Sequence, residues 1–247
     1  MFADSTLWQR ATTGLQILLP SPCIVCGRLV ATSANLCLAC ADELPWITRA
    51  CAQCGNCSPD LPLVAERCGA CRLRPPPFEH CGGLLQYRSP ASRLLTGFKF
   101  NARFDIGFAL AMLLADRMHR YYLQRPRPRL LIPVPLHRNR LRERGYNQSL
   151  EIAKWVSMQL RIPVCESTVE RTRDTAPQTN LASSRLRAQN LRHAFRLKAS
   201  SQLGDTGRIA IIDDVVTTMT TVKELSHVLA IGTVAHIDVW CLARAER

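Results

Sequence analysis

Acidic residues are scarce in this chain of 247 residues: 19 aspartates and glutamates face 32 lysines and arginines, a formal charge of +13. That imbalance points to partners bearing phosphates, nucleic acid among them. A solvated basic surface gives the same total, so charge alone does not choose. Aromatic residues are few, at 6%. Tyr146 and Phe195 are the nearest to the basic stretches and the candidates for stacking on a base, so contacts to single-stranded DNA would run mainly through phosphates.

Long apolar runs are missing too. None approaches the ~20 residues that a membrane-spanning helix needs, which argues against membrane insertion. The opening MFADSTLWQRATTGLQILLP lacks the basic-then-apolar order and the small-residue cleavage pattern of a secretory signal, so a cytoplasmic protein is expected. Cysteine is nearly absent from most of the chain: Cys165 and Cys241 stand alone, while ten others fall between Cys23 and Cys81.

Those ten are ordered. Four CxxC pairs recur: Cys23/Cys26, Cys37/Cys40, Cys51/Cys54 and Cys68/Cys71. Each pair sets two thiolates on one side of a tight turn, half of a tetrahedral zinc shell, and without a secretory signal such spacing favours metal over disulfides. Sequential pairing gives one zinc on Cys23, Cys26, Cys37 and Cys40 and a second on Cys51, Cys54, Cys68 and Cys71; interleaved pairing is the alternative. Cys57 and Cys81 are left over, although Cys57 can exchange with a neighbour. A full thiolate shell has no open position, so both zincs are expected to be structural.

Arg72-Leu-Arg-Pro-Pro-Pro-Phe78 closes the cysteine region, and three prolines in a row forbid a helix through it. A boundary is expected there, dividing residues 1–77, an N-terminal helix and a double zinc ribbon, from residues 78–247. The second part alternates strands and helices. Strands are expected at Gly82–Arg88, Leu130–Val134, Ile209–Val216 and Val234–Leu242, and helices at Pro90–Lys99, Ile106–Leu123 and Tyr146–Leu160. That alternation argues for an α/β domain with a largely parallel sheet.

Two stretches carry candidate chemistry. In IAIIDDVVTTMTTVKEL an apolar strand ends in Asp213 and Asp214 and runs through Thr217, Thr218, Met219, Thr220 and Thr221 into a helix. A helix N-terminus favours a phosphate, the threonines add hydroxyl donors, and the carboxylates suit the vicinal hydroxyls of a ribose, with magnesium nearby. A strand end followed by a threonine N-cap is the plainer reading. The second stretch, LIPVPLHRNRLRERGYNQS, places Arg138, Arg140, Arg142 and Arg144 in a basic loop before a glycine turn, where guanidinium forks suit diphosphate oxygens.

Together RERGYNQS and IIDDVVTT resemble the ComF family of phosphoribosyltransferase-like proteins, in its GntX-like DNA-utilisation branch. The resemblance extends to the cysteine knuckles, to LLTGFKFNARFDIG and to RTRDTAPQTNLASSRLRAQNLRHAF. It implies a type I phosphoribosyltransferase fold, a parallel sheet flanked by helices, behind an N-terminal zinc-ribbon region. Asp213 and Asp214 would then hold the ribose hydroxyls of phosphoribosyl pyrophosphate, and Thr217, Thr218, Thr220 and Thr221 its 5′-phosphate. Arg138 and Arg144 would take the pyrophosphate, magnesium would bridge the two ends, and Arg144 and Asp214 would be the catalytic residues. The family's loop reads TTGxT, whereas Met219 stands here in place of its glycine. A positive φ there would strain the methionine and let it crowd the anion; a negative φ would turn it outward.

A role in DNA uptake or utilisation follows from the resemblance, in one of three forms. The chain would be an active phosphoribosyltransferase in nucleobase salvage, a non-catalytic adaptor for single-stranded DNA or a helicase-like uptake partner, or a sensor that binds a nucleotide without turnover. Basic stretches at Arg185–Arg187 and Arg192–Arg196 support the adaptor.

Overall fold

The structure, a computed structural model, describes residues 20–32, 34–58, 62–64, 66–173, 194–198, 207–232 and 234–245. The expected N-terminal helix lies outside them, as do Arg185, Arg187 and Arg192. An uninterrupted aliphatic run such as Ile209 to Ile212 is what a strand covered on both faces requires. It forms the middle of β9 (Arg208–Val216), one of four parallel strands in the order β5 (His80–Gln86), β10 (His236–Arg244), β9, β6 (Leu130–Pro133). With a side-chain period of two, Ala210 and Ile212 join one apolar layer while Ile209 and Ile211 join the other.

The first layer is filled from α3 (Ala91–Phe100), α4 (Phe104–Tyr121) and α6 (Gln148–Leu160). The second takes side chains from α7 (Thr220–Ile231) and from the hairpin of β7 (Val169–Arg171) with β8 (Phe195–Leu197). The strands and helices expected after the triple proline are all present, displaced by two residues or fewer at their ends. Asn147, for example, accepts from the Ser149 N–H at 3.1 Å and so starts α6 after Tyr146.

The basic segment departs from expectation. It is a helix, α5 (Arg138–Arg144), begun by His137, which accepts from Asn139 N–H, and ended by Gly145 at φ 80°. The run RNRLRER contains no helix breaker, and a left-handed glycine is a common stop signal.

The cysteine pairs fold as two small units. One holds the β1 (Ser21–Pro22) and β2 (Leu29–Val30) hairpin with α1 (Leu38–Glu43); the other holds β3 (Leu63–Val64), β4 (Arg67–Cys68) and α2 (Gly69–Leu73). Pairing is sequential: the sulfurs of Cys23, Cys26, Cys37 and Cys40 lie within 4.8 Å of one another, as do those of Cys51, Cys54, Cys68 and Cys71. The Sγ–Sγ separations of 3.9 Å for Cys26–Cys37 and 3.8 Å for Cys54–Cys68 suit a tetrahedron with zinc–sulfur bonds of about 2.3 Å. Burial raises the Cys54 thiol to about 12, helped by the neighbouring Cys51 charge. A bound dication reverses that balance, because coordination deprotonates a thiol.

The units straddle the β5 edge. Leu36 and Leu44 of the first pack into the α3–α4–α6 layer, while the cysteines of the second pack into the α7 layer. Between them, Gln86 N–H donates to Pro45 O at 2.7 Å and Ile47 N–H to Leu84 O at 3.2 Å, which covers an edge strand otherwise open to pairing. Gly55, at φ 66°, approaches Cys81 so closely that a Cβ there would lie 2.5 Å from its carbonyl oxygen.

Elemental analysis should therefore find about two zinc ions per chain, and about one in Cys68→Ala. Stripping zinc should also lower the melting temperature of the sheet domain, because the cover over β5 goes with it. Zinc-replete, reduced protein that carries no zinc would refute the assignment.

Candidate functional site

Asp213 and Asp214 sit near the C-terminal end of β9, only 8% and 9% exposed. Three elements bring polar groups to them. From the end of α3, Lys99 Nζ reaches Asp214 Oδ2 at 2.9 Å. From the first turn of α6, Ser149 Oγ donates to Asp213 Oδ1 at 3.1 Å. The backbone completes the shell: Asp214 N–H donates to Asp213 Oδ1 at 2.9 Å, and Val215 N–H to Asp214 Oδ1 at 2.8 Å.

The two carboxyls are driven apart electrostatically. Burial and the adjacent Asp214 charge raise Asp213 to about 8. Burial pushes Asp214 the same way, yet the charge and hydrogen bond of Lys99, with Val215 N–H and Arg144, hold it below the usual carboxylate range. The Asp214 charge in turn raises Lys99. The environment thus favours the proton on Asp213 and the charge on Asp214.

Arg144 closes this edge. Its Nη1 donates to Gln148 Oε1 at 2.8 Å, Gln148 Nε2 donates to Lys99 O at 3.3 Å, and the guanidinium carbon lies 5.3 Å from the centre of the Phe100 ring. Burial lowers its pKa, but a guanidinium stays charged. Asn147 Nδ2 donates to Val134 O at 3.1 Å and the Tyr146 hydroxyl to Phe98 O, tying this corner to β6 and α3.

The threonine loop leaves β9 beside the acids. Thr217, Thr220 and Thr221 line a shallow hollow with Asp213 and Met219, and Thr218 Oγ1 lies 2.9 Å from Thr220 Oγ1. Met219 adopts φ 65°, the left-handed conformation that favours glycine, yet its side chain is 6% exposed and belongs to the apolar cluster containing Val222 and Leu225. The residue is strained, as a positive φ requires, but buried rather than turned outward.

Arg138 is not drawn to the acids. It is exposed at the start of α5, and its charge is felt by Glu170 on β7. Arg140 pairs with Glu143 at 3.1 Å. The stacking candidates are also occupied: Phe195 is 5% exposed, and the Tyr146 ring packs on Phe104 with centroids 4.7 Å apart. Arg196 is tied to Glu170 at 2.6 Å.

Sequence reasoning missed Lys99, Ser149 and Arg244. Lys99 had a signal, being one of only four lysines among 32 basic residues and flanked by Phe98 and Phe100. Arg244, fully buried at the end of β10, had none. Its guanidinium donates to the carbonyls of Val216 and Thr217 and, through Nε, to Cys54 O at 3.2 Å, joining the loop to the second cysteine unit.

Two opposing effects meet at Met219. Left-handed strain costs about 1–2 kcal/mol, whereas burying a methionine contributes about 1.5–3 kcal/mol. Met219→Gly should therefore lower stability by roughly 1 kcal/mol in denaturant unfolding; a clear stabilisation would show that strain dominates.

Comparison with known proteins places this architecture. A double zinc ribbon domain matches residues 14–72. The DNA utilization protein YhgH of Salmonella typhi is 36% identical over 224 residues, covering 90% of this chain and 89% of that protein. Its counterpart in Escherichia coli K12 is 35% identical over 225 residues with the same shares, and competence protein F of Haemophilus influenzae is 38% identical over 186 residues, 68% of this chain and 79% of that one. With likeness of that extent across ribbons and sheet, the chain belongs to the family of DNA utilization protein YhgH and competence protein F.

Proposed function

We propose that this protein serves DNA uptake or utilisation and that its C-terminal sheet edge binds phosphoribosyl pyrophosphate or a nucleotide. One observation carries the reading: a buried acid pair, with Asp214 bridged to Lys99, lies beside the N-terminus of α7. A carboxylate such as Asp214 accepts from ribose hydroxyls. The loop N–H groups at α7, with Thr217, Thr218, Thr220 and Thr221, suit a 5′-phosphate. Arg144 and Lys99 supply positive charge for a diphosphate. Arg138 contributes only general positive potential unless α5 moves.

Magnesium fits as a companion of the ligand rather than as a resident ion. Lys99 already occupies Asp214 Oδ2, so the acids form no closed oxygen cage, and magnesium commonly arrives on phosphates and keeps its waters. If the site turns over, Asp213, Asp214 and Arg144 would hold the sugar and the departing diphosphate while charge develops at the anomeric carbon. Positioning and electrostatic stabilisation would provide the rate, with no dedicated base.

The adaptor reading rests on the +13 charge. It calls for a cytoplasmic protein that grips single-stranded DNA through phosphates or docks on a helicase-like partner. No helix among the described residues is long and apolar enough to cross a membrane.

Calorimetric titration with phosphoribosyl pyrophosphate and magnesium separates these forms. Asp214→Asn and Arg144→Ala should each cost about 1.5–3 kcal/mol, the worth of a charge-assisted hydrogen bond. Ribose 5-phosphate should feel the aspartate change and not the arginine one. Folded wild-type protein that ignores these ligands while binding single-stranded DNA with steep salt dependence would leave only the adaptor.

A further inference from the structure

A cavity of about 580 Å³ opens at the opposite end of the sheet, where β5, β9 and β10 begin. Ligands of open parallel sheets gather beyond the carboxyl ends of the strands, so this cavity is separate from the acid pair and its loop. One wall comes from the second cysteine unit and the triple-proline linker, through Gln53, Arg67, Pro76 and Pro77. The other comes from the strand starts and the ends of α4 and α7, through Arg125, Arg208, Val234 and Ile237.

Its charges are unequally committed. Arg208 is fixed, with Nη2 on Glu79 Oε2 at 2.7 Å and Nη1 on Asp238 Oδ1 at 3.0 Å. Tyr122 and Trp240 extend that network: the Tyr122 hydroxyl donates to Asp238 Oδ2 at 2.7 Å and accepts from Trp240 Nε1 at 2.9 Å. Arg125 instead lies over the Tyr121 ring, 4.4 Å from its centre, and that ring also stacks on His80 at 4.1 Å. Arg125 and Arg67 are both exposed, and neither is held by a carboxylate among the described residues.

Behind the wall, two polar atoms are buried without a partner. Gln53 is 7% exposed, and its Oε1 has no hydrogen-bond partner; neither has Nε of Arg208. Pro76, Pro77, Val234 and Ile237 add apolar surface, and Glu79, held by Arg208 and His236, lines the same cavity.

We propose that this cavity is a second ligand site, for a free nucleoside monophosphate. Arg67 and Arg125 take the phosphate at the rim. The base lies against Pro76, Pro77 and Ile237. The volume is in the range of small-molecule sites and far exceeds what a lone phosphate fills.

Equilibrium dialysis of the full-length, zinc-loaded chain against 5′-AMP and 5′-dTMP tests this. One mononucleotide should bind, and Arg67→Ala and Arg125→Ala should each weaken it roughly tenfold, the worth of a charge-assisted contact. Asp214→Asn should leave it unchanged, so failure here is distinct from failure at the other edge. Both arginines are exposed, and unchanged zinc content and circular dichroism confirm that the variants fold. Binding abolished by Asp214→Asn but spared by Arg125→Ala would overturn the proposal, as would no binding at millimolar ligand. An oligodeoxynucleotide that displaces the mononucleotide at lower concentration, and loses this with Arg125→Ala, would assign the cavity to a nucleic-acid end and refute the free nucleotide.

Discussion

Two neighbouring carboxylates cannot both be buried and ionised unless cations are brought to them. That constraint organises the C-terminal edge of this sheet. Lys99 meets Asp214 only because α3 ends there, and Arg144 is in reach because Gly145 stops α5 in a left-handed turn. Ser149 faces Asp213 because Asn147 starts α6 at that corner. Burial and the Asp214 charge raise Asp213, while Lys99 holds Asp214 down, so the two carboxyls differ in their hold on a proton.

The cysteine units are part of the same construction and not an appendage. They supply side chains to both apolar layers and cover the β5 edge. Arg244 goes further, with one guanidinium bonded to a carbonyl of the second unit and to the first carbonyls of the threonine loop. Arg244 thereby ties the second cysteine unit to the point where the loop leaves β9.

The parallel sheet was legible because a strand buried on both faces must be apolar throughout, as Ile209 to Ile212 are. The thiolate half-shells were legible because CxxC spacing fixes half a shell at a time; which halves combine was open between sequential and interleaved, and the fold brings them together sequentially. The Lys99–Asp214 contact was not, since residues 115 positions apart meet only once the strand order is set. The fate of Met219 was not legible: either sign of φ was open, and both its left-handed backbone and its burial are set by how the loop packs under α7. Arg244 was invisible, because a charged residue ending an apolar strand ordinarily reads as its solvent-exposed end.

The central claim is that the acid pair carries one proton in the folded protein. A carboxyl whose pKa is raised by folding contributes stability that is complete below the ordinary value near 4 and lost as pH rises toward about 8. Asp213→Asn stays neutral throughout, so it escapes that loss. Thermal unfolding of wild type and Asp213→Asn from pH 5 to pH 8.5 should show the variant gaining on the wild type as pH rises, with the gap levelling off above about pH 8. Thiol ionisation enters both proteins alike and cancels. A gap that stays constant across that range would show that Asp213 is ionised throughout and would contradict the account.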